Sequence, residues 1–504
     1  MNNLINKRVL LFAPELEKNE HRGIAVYTKS LINALFKSGA EVWLVTSLNT
    51  KKLRIDKFNK SSRDYIYISE ILQFFYLGNN KLNYDNHSKN NILLRKFLEF
   101  FKVREKIIIY FSNMIQVLKQ GLVYNKWNTS QIKFYYKDDN PYLKLEKLKF
   151  MRNISGFISA PNIGSNLKLI SFLPFLNKIK IDLYGFDFFI TSEPLNIISK
   201  NNTSFFQTVH DLIPLEFSPE ILNVKSFYNK IKICNESNKL FISETTKNKF
   251  NYLLKNKLSN KIDNENVLIQ PPSLIFESSA SVDNNANILN TISLENKKIN
   301  KKIKKYKKTK FMNTLKPFNY FLFNASMDER KNVHLLIESY INSNAQKSGI
   351  NLVITGKLKD DDYSNKIKDL IKNNYGINST GFVNEAQKSA LYLNSISLLS
   401  PSIIEGFGIP VLDACCLGLN CFASDCSSHR EIQNLFDFKN FLKIYPPNSL
   451  INWTDIFYNY NYLIDKNKKI SLEKRLSRYK YYSKILEDNF KLKLTTFINN
   501  SSAN

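Results

Sequence analysis

Glu405 and Asp413 stand eight positions apart in Pro401–Asp425, PSIIEGFGIPVLDACCLGLNCFASD. An apolar, strand-like run, ISLLSPS, ends in Glu405-Gly406-Phe407-Gly408, and Pro410 then opens a stretch with helical apolar spacing. Proline suits a first helical turn, where its missing N–H costs nothing. The two glycines let loop amides face a ligand closely, and a helix N-terminus adds partial positive charge. One acid before the helix and one on its first turns can hold the hydroxyls of a polyol from fixed distances. A plain strand–turn–helix whose glycines only permit the turn accounts for the same shape.

Other groups could complete a site. Arg330 and Lys331 open a helical stretch; a solvated helix start accounts for them, but cations there are electrostatically unfavourable unless an anion is near, a small argument for a phosphate. His210 follows a buried strand in the string Val209-His210-Asp211. His334 and His429 have no supporting context and read as structural. Cys415, Cys416, Cys421 and Cys426 cluster, but they lack CxxC spacing and lie in apolar surroundings; buried small residues are expected there, and no metal. Asp360-Asp361-Asp362 reads as an exposed turn.

These residues need a scaffold, and the pattern supplies one. Arg8–Pro14 is a strand-length apolar run, Gly23–Gly39 (GIAVYTKSLINALFKSG) is an amphipathic helix, and Glu41–Thr46 is a second buried strand. Such a βαβ unit implies a parallel sheet. Similar runs recur at Phe186–Ser192, Ser204–Val209, Leu240–Ile242 and Val267–Gln270. Residues 47–180 fit this grammar poorly and read as an insertion. After the polar stretch SSASVDNNANILNTISLENKKINKKIKKYKKTK, the grammar restarts with strands at Tyr320–Asn324, Asn351–Thr355, Asn378–Phe382 and Ser397–Ser400. Helices fall between them, and residues from Lys443 onward read as mostly helical. The expected organisation is residues 1–276 as one Rossmann-like domain, 277–316 as an Asn/Lys-rich linker, and 317–504 as a second such domain. The terminal helix of the second domain is a candidate to return to the first.

Composition sets outer bounds. A chain of 504 residues exceeds one ordinary core. Only 14 glycines occur, and seven of them fall between Gly349 and Gly418, the window that holds the paired acids. No apolar stretch is long enough for a signal peptide or a membrane span, so a cytoplasmic protein is expected. Lys+Arg 72 against Asp+Glu 44 gives a net charge of +28, concentrated in the 47–180 segment and the linker. The string FLEFFKVREKIIIYFSNMIQVLKQ interleaves basic and apolar residues at near-helical spacing. That makes an anionic membrane surface a candidate partner, with peripheral attachment at the inner face. An ordinary basic surface over an aromatic core is the competing account. Nucleic acid binding is the other class the charge suggests, but no RNA-binding motif accompanies it.

The paired acids and the wider string Ala390–Asp425 resemble retaining glycosyltransferases of family 4 (group 1). The resemblance extends through Tyr320–Asn332 (YFLFNASMDERKN), Asn351–Gly356, Thr380–Val383, Gly23, Gln207–Leu215 (QTVHDLIPL) and Ile242–Thr246. It implies an α/β GT-B fold, two doubly wound Rossmann-like domains facing each other across a cleft. By that resemblance Glu405, His210 and Lys331 are catalytic, with Glu405 on the donor sugar's hydroxyls and Lys331 and Arg330 on the pyrophosphate. Backbone groups at Phe407, Gly408 and Ile409 would help hold the sugar, and Asp413 would take the ribose, where relatives usually have glutamate. Gly23, Ser326, Phe382 and Val383 complete the implied donor set. Ser326 stands where many relatives have an arginine, which leaves one positive charge fewer. The implied activity is transfer of a hexose from a nucleotide sugar to a glycan or lipid-linked acceptor, in cell-surface polysaccharide synthesis. No metal or other cofactor is expected, and the VHDLIPL context, similar to mannosyltransferase-like members, suggests GDP-mannose as donor. A GT-B protein that binds sugar without activity is the remaining alternative.

Overall fold

A computed structural model describes residues 4–501, apart from 19–22, 50–57, 79–122, 125–130, 136, 138–139, 162, 173–178, 182, 184, 200–202, 218–220, 255–263, 277–281, 293–314 and 359–360. The chain divides into two compact units, Met1–Gln270 with Glu487–Asn504, and Pro271–Leu486.

The first unit is built on β1 (Arg8–Phe12), β2 (Glu41–Thr46), β3 (Val123–Tyr124), β4 (Gln131–Lys133), β5 (Gly156–Ser159), β6 (Ile179–Ile181), β7 (Phe188–Thr191), β8 (Ile197–Ser199), β9 (Ser204–Val209), β10 (Asn238–Phe241) and β11 (Glu265–Val267). Eight of these form one sheet in the order β11-β10-β9-β7-β1-β2-β5-β4, and β3-β6-β8 form a small second sheet. In the large sheet only β4 runs antiparallel to its neighbour. Strands buried on both faces must be apolar throughout, which is why RVLLF, EVWLVT and FFIT read as continuous runs. Phe189 and Phe205 stack across neighbouring strands at 5.0 Å. Gly23 caps the helix Ile24–Lys37 with φ +45°.

The second unit holds β12 (Tyr320–Asn324), β13 (Asn351–Thr355), β14 (Ile377–Gly381), β15 (Leu398–Ser400), β16 (Cys421–Ser424) and β17 (Leu442–Tyr445). All are parallel, in the order β14-β13-β12-β15-β16-β17. This is the doubly wound order whose switch point lies between the first and fourth strands, here β12 and β15. Helices Val333–Ser343 and Leu450–Tyr458 cover one face through Leu336, Tyr340, Trp453 and Phe457, all buried. The helix Leu472–Asn500 contributes to both units: from Glu487 onward it belongs to the first. There Phe490 meets Tyr27 at 5.5 Å and Phe497 meets Phe206 at 5.5 Å.

Two stretches differ from the sequence reading. Segment 47–180 is not wholly an addition, because its β5 pairs with β2 and its β4 with β5 inside the large sheet. Four residues, GFIS, are too short to show a strand pattern beside so many basic and aromatic neighbours. The stretch from Lys443 begins in β17 before turning mostly helical as expected; the strand LKIY closes the sheet edge with Lys443 exposed, which breaks its apolar run. The basic string 97–120 and Arg22 lie outside the described residues.

Candidate active site

The switch point of the second unit gathers two loops. After β12 the chain runs through Ser326 and Asp328 into a short 3-10 helix, Glu329–Lys331. After β15 it runs through Ser402 and Glu405 to Gly408, which caps the helix Ile409–Leu417. A hydrogen bond from the Ile403 amide to the Arg330 carbonyl, 2.8 Å, ties the loops together.

Across that seam Lys331 Nζ forms a short ion pair with Glu405 Oε1, the two side chains only 9% and 10% exposed. Arg330 lies 3.6 Å from Glu405 Oε2 and donates to the Ile404 carbonyl at 3.3 Å. Ser402 Oγ donates to Glu405 Oε1 at 2.8 Å. Burial pushes the Glu405 carboxyl up, but Lys331, then His429 and Arg330, outweigh it and bring the pKa down to about 2. Glu405 is therefore an anion at neutral pH, held by Lys331 and Arg330. Ser326 Oγ donates to Asp328 Oδ2 at 2.6 Å, and Arg330 lies 3.7 Å from the same carboxylate oxygen. The four charged side chains thus cancel: Lys331 and Arg330 against Glu405 and Asp328.

Behind this pair, β16 and its following helix Ser427–Gln433 brace the loop. Ser428 Oγ donates to the carbonyls of Glu405 and Gly406 at 2.8 and 3.1 Å. Gly408 has φ +106°, and a Cβ there would come within 3.1 Å of the His429 ring, so only glycine fits. His429 has no sequence signal beyond a lone imidazole after a strand, yet it lies directly behind the glycine loop.

Asp413 is placed differently from Glu405. It is 2% exposed and faces inward. Its Oδ1 accepts from the Ser273 amide at 2.6 Å and from Tyr479 Oη at 2.9 Å, and its Oδ2 accepts from Ser273 Oγ at 2.6 Å. Tyr479 Oη in turn accepts from the Leu274 amide at 2.6 Å. Burial raises the Asp413 pKa against the opposing effects of Lys388, Ser273 and Tyr479. Ser273 and Tyr479 carry no sequence signal toward this role, since both lie far from Asp413 along the chain. Phe407 is buried, Ile409 is the first residue of the helix, Val383 is buried, and Phe382 is 61% exposed beyond the end of β14.

In the first unit, His210 follows β9 and is buried beside Tyr27, ring centroids 5.0 Å apart. Its Nε2 lies 2.8 Å from the Ser192 carbonyl, an acceptor, so Nε2 carries the proton. Burial lowers its pKa to about 4 against that hydrogen bond, leaving it neutral at pH 7. His210 directly follows β9, and Gly23 caps the helix between β1 and β2. Among the described residues, no group of three or more His, Cys, Asp or Glu could hold a metal ion, and no helix is long and apolar enough to cross a membrane.

Comparison with known proteins places this architecture. Solved structures resemble it over nearly the whole chain, two of them with the following agreement. HepE from Anabaena, in complex with UDP and glucose, is 10% identical with a TM-score of 0.52, covering 97% of this chain and 100% of its own. Sucrose-phosphate synthase from Thermosynechococcus elongatus is 11% identical with a TM-score of 0.50, covering 98% and 99%. No curated protein sequence matches significantly. The fold is GT-B, two Rossmann-like α/β units with parallel sheets. Residues 302–449 match the profile of the family described as glycosyl transferases group 1. That matched stretch lies within the second unit, which is thus similar to the group 1 glycosyltransferases.

Proposed function

We propose that this enzyme moves a hexose from a nucleotide sugar to a glycan or lipid-linked acceptor, with retention of anomeric configuration, in cell-surface polysaccharide synthesis. The observation that carries the reading is the buried Lys331–Glu405 pair at the switch point of the second unit, beside the capped helix N-terminus. A diphosphate arriving there competes with Glu405 for Lys331 and Arg330. Glu405, released from its cations, then accepts hydrogen bonds from the sugar's hydroxyls. Amides at Phe407, Gly408 and Ile409 add partial positive charge at the helix end.

In the transfer step, the bond from the anomeric carbon to the phosphate oxygen breaks as the bond to the acceptor oxygen forms on the same face. The acceptor's proton passes to the departing phosphate oxygen. Lys331 and Arg330 stabilise the growing negative charge on the leaving group, with no metal ion assigned to that task. Asp413 reaches a ribose only by exchanging its bonds to Ser273 and Tyr479. We assign the acceptor to the first unit and an anionic lipid surface to the 97–120 string, which places the reaction at the inner face of the membrane.

For the donor, the VHDLIPL string favours GDP-mannose, and the UDP and glucose held by HepE make UDP-glucose the second choice. Thermal stabilisation screened over UDP-, GDP- and ADP-sugars, followed by release of the nucleoside diphosphate, tests the reading. One donor should both stabilise and be consumed. Stabilisation by RNA alone would replace the reading with nucleic acid binding, and binding without turnover would make this a sugar-binding protein. Salt-sensitive co-sedimentation with anionic vesicles tests the lipid assignment; no co-sedimentation removes it.

A further inference from the structure

His429 is the one buried histidine in the second unit, and its two ring nitrogens are unequal. Nδ1 lies 2.8 Å from the Ser424 carbonyl, which can only accept, so Nδ1 carries the proton. Nε2 is left as a bare acceptor with no hydrogen-bond partner, on a side chain with no exposure. The bare edge is turned toward the glycine loop: a Cβ on Gly408 would lie 3.1 Å from Cδ2 and 3.3 Å from Nε2. Buried polar atoms are rarely left unpaired, and the exceptions call for a functional reason.

The charges around the ring supply one. Glu405 and Lys331 act on it from the two loops in front, with opposite signs. Arg330 stands beyond them, held to Glu405 and Asp328. On its own turn, Cys426 is a thiol pushed up by burial, and Asp425 is paired with Arg430 at the surface. Since Lys331 and Arg330 are matched by Glu405 and Asp328, an incoming diphosphate meets no surplus of side-chain charge. His429 is the neighbouring group able to gain a positive charge near neutral pH.

We propose that His429 is a positioning residue of the donor site that takes a proton from solvent onto Nε2 when a diphosphate occupies the N-terminal end of the Ile409–Leu417 helix. This rests on the donor reading above. The imidazolium balances the Glu405 carboxylate from behind, which lets Lys331 turn to the phosphate. Without a diphosphate, burial holds the His429 pKa below its usual value, which favours the neutral ring at pH 7. Binding raises that value. The affinity gained is therefore full below the free-state pKa and fades as pH rises through the bound-state pKa.

Calorimetric titration of the full chain with UDP, GDP and ADP, in buffers of different ionisation enthalpy between pH 5.5 and 7.5, reads the proton directly. His429→Asn keeps a donor for the Ser424 carbonyl and removes Nε2. Wild type should take up protons that the variant does not, and its affinity advantage should widen by about tenfold for each unit of pKa shift. Equal proton uptake in the two proteins overturns the proposal. If the variant fails to fold, backbone-assigned nitrogen shifts of His429 in the wild type decide instead: a bare Nε2 that protonates on adding UDP supports the proposal, and an Nε2–H tautomer in the free protein sinks it. Should none of the three nucleotides bind, the donor reading falls. Inorganic pyrophosphate then tests the imidazole alone, and an unmoved His429 titration refutes it.

Discussion

Glu405 lies in the loop that leads into the helix Ile409–Leu417 and Asp413 in the middle of that helix, yet burial has opposite consequences for them. Glu405 is held by Lys331 and Arg330, and its pKa falls to about 2. Asp413 is held by an amide and two hydroxyls, and its pKa rises. Cations compensate a buried carboxylate fully and can be drawn away by a stronger anion. Hydroxyl and amide donors compensate only in part, but they fasten three separated segments, around Ser273, Asp413 and Tyr479, to one another. A carboxylate tethered by mobile charge suits a ligand site, whereas one clasped by Ser273 and Tyr479 suits a joint.

Breaking the charged pair should have the largest effect. Glu405→Gln leaves Lys331 buried without its partner, and transfer should fall by about 100-fold or more. Stability should drop by about 3 kcal/mol, the usual scale for halving a buried pair. Initial rates and denaturant melts check both, and retained activity would remove Glu405 from the site. The pH dependence sharpens the contrast. Glu405's depressed pKa contributes stability that is present above its ordinary value of 4.5 and is lost as pH falls toward about 2. Asp413's raised pKa works the other way, its contribution being present below the ordinary value of 3.8 and fading as pH rises. Lys331→Met should therefore erase the acid-side loss of stability between about pH 4.5 and 2, and Asp413→Asn should flatten the opposing trend. Melting curves from acid through neutral pH would show whether the two acids truly differ in sign.

The smallest effect should come from the clasp. Tyr479→Phe removes the hydroxyl between Leu274 and Asp413 and should cost about 1–3 kcal/mol with donor affinity nearly unchanged. A loss of nucleotide binding as deep as that of Glu405→Gln would erase the distinction between the two acids.

β12 and β13 were legible because parallel strands covered on both faces are apolar along their buried stretch, as in YFLFN and NLVIT. The glycine loop was legible for a similar reason, since Gly408 needs a left-handed backbone. β5 and β17 escaped because one is four residues long and the other carries an exposed lysine at the sheet edge. The Lys331–Glu405 pair could be suspected from its residue types but not seen, as the seam between the two loops exists only after folding. Ser273, Tyr479 and His429 gave no warning at all. Their significance lies wholly in which neighbours tertiary packing brings to them.

The helix Leu472–Asn500 carries a consequence for biosynthesis. Chains usually fold domain by domain from the N-terminus as they leave the ribosome. Here Tyr27 and Phe206 find Phe490 and Phe497 only after the entire second unit has been translated. The first unit to be made is thus the last to complete its core.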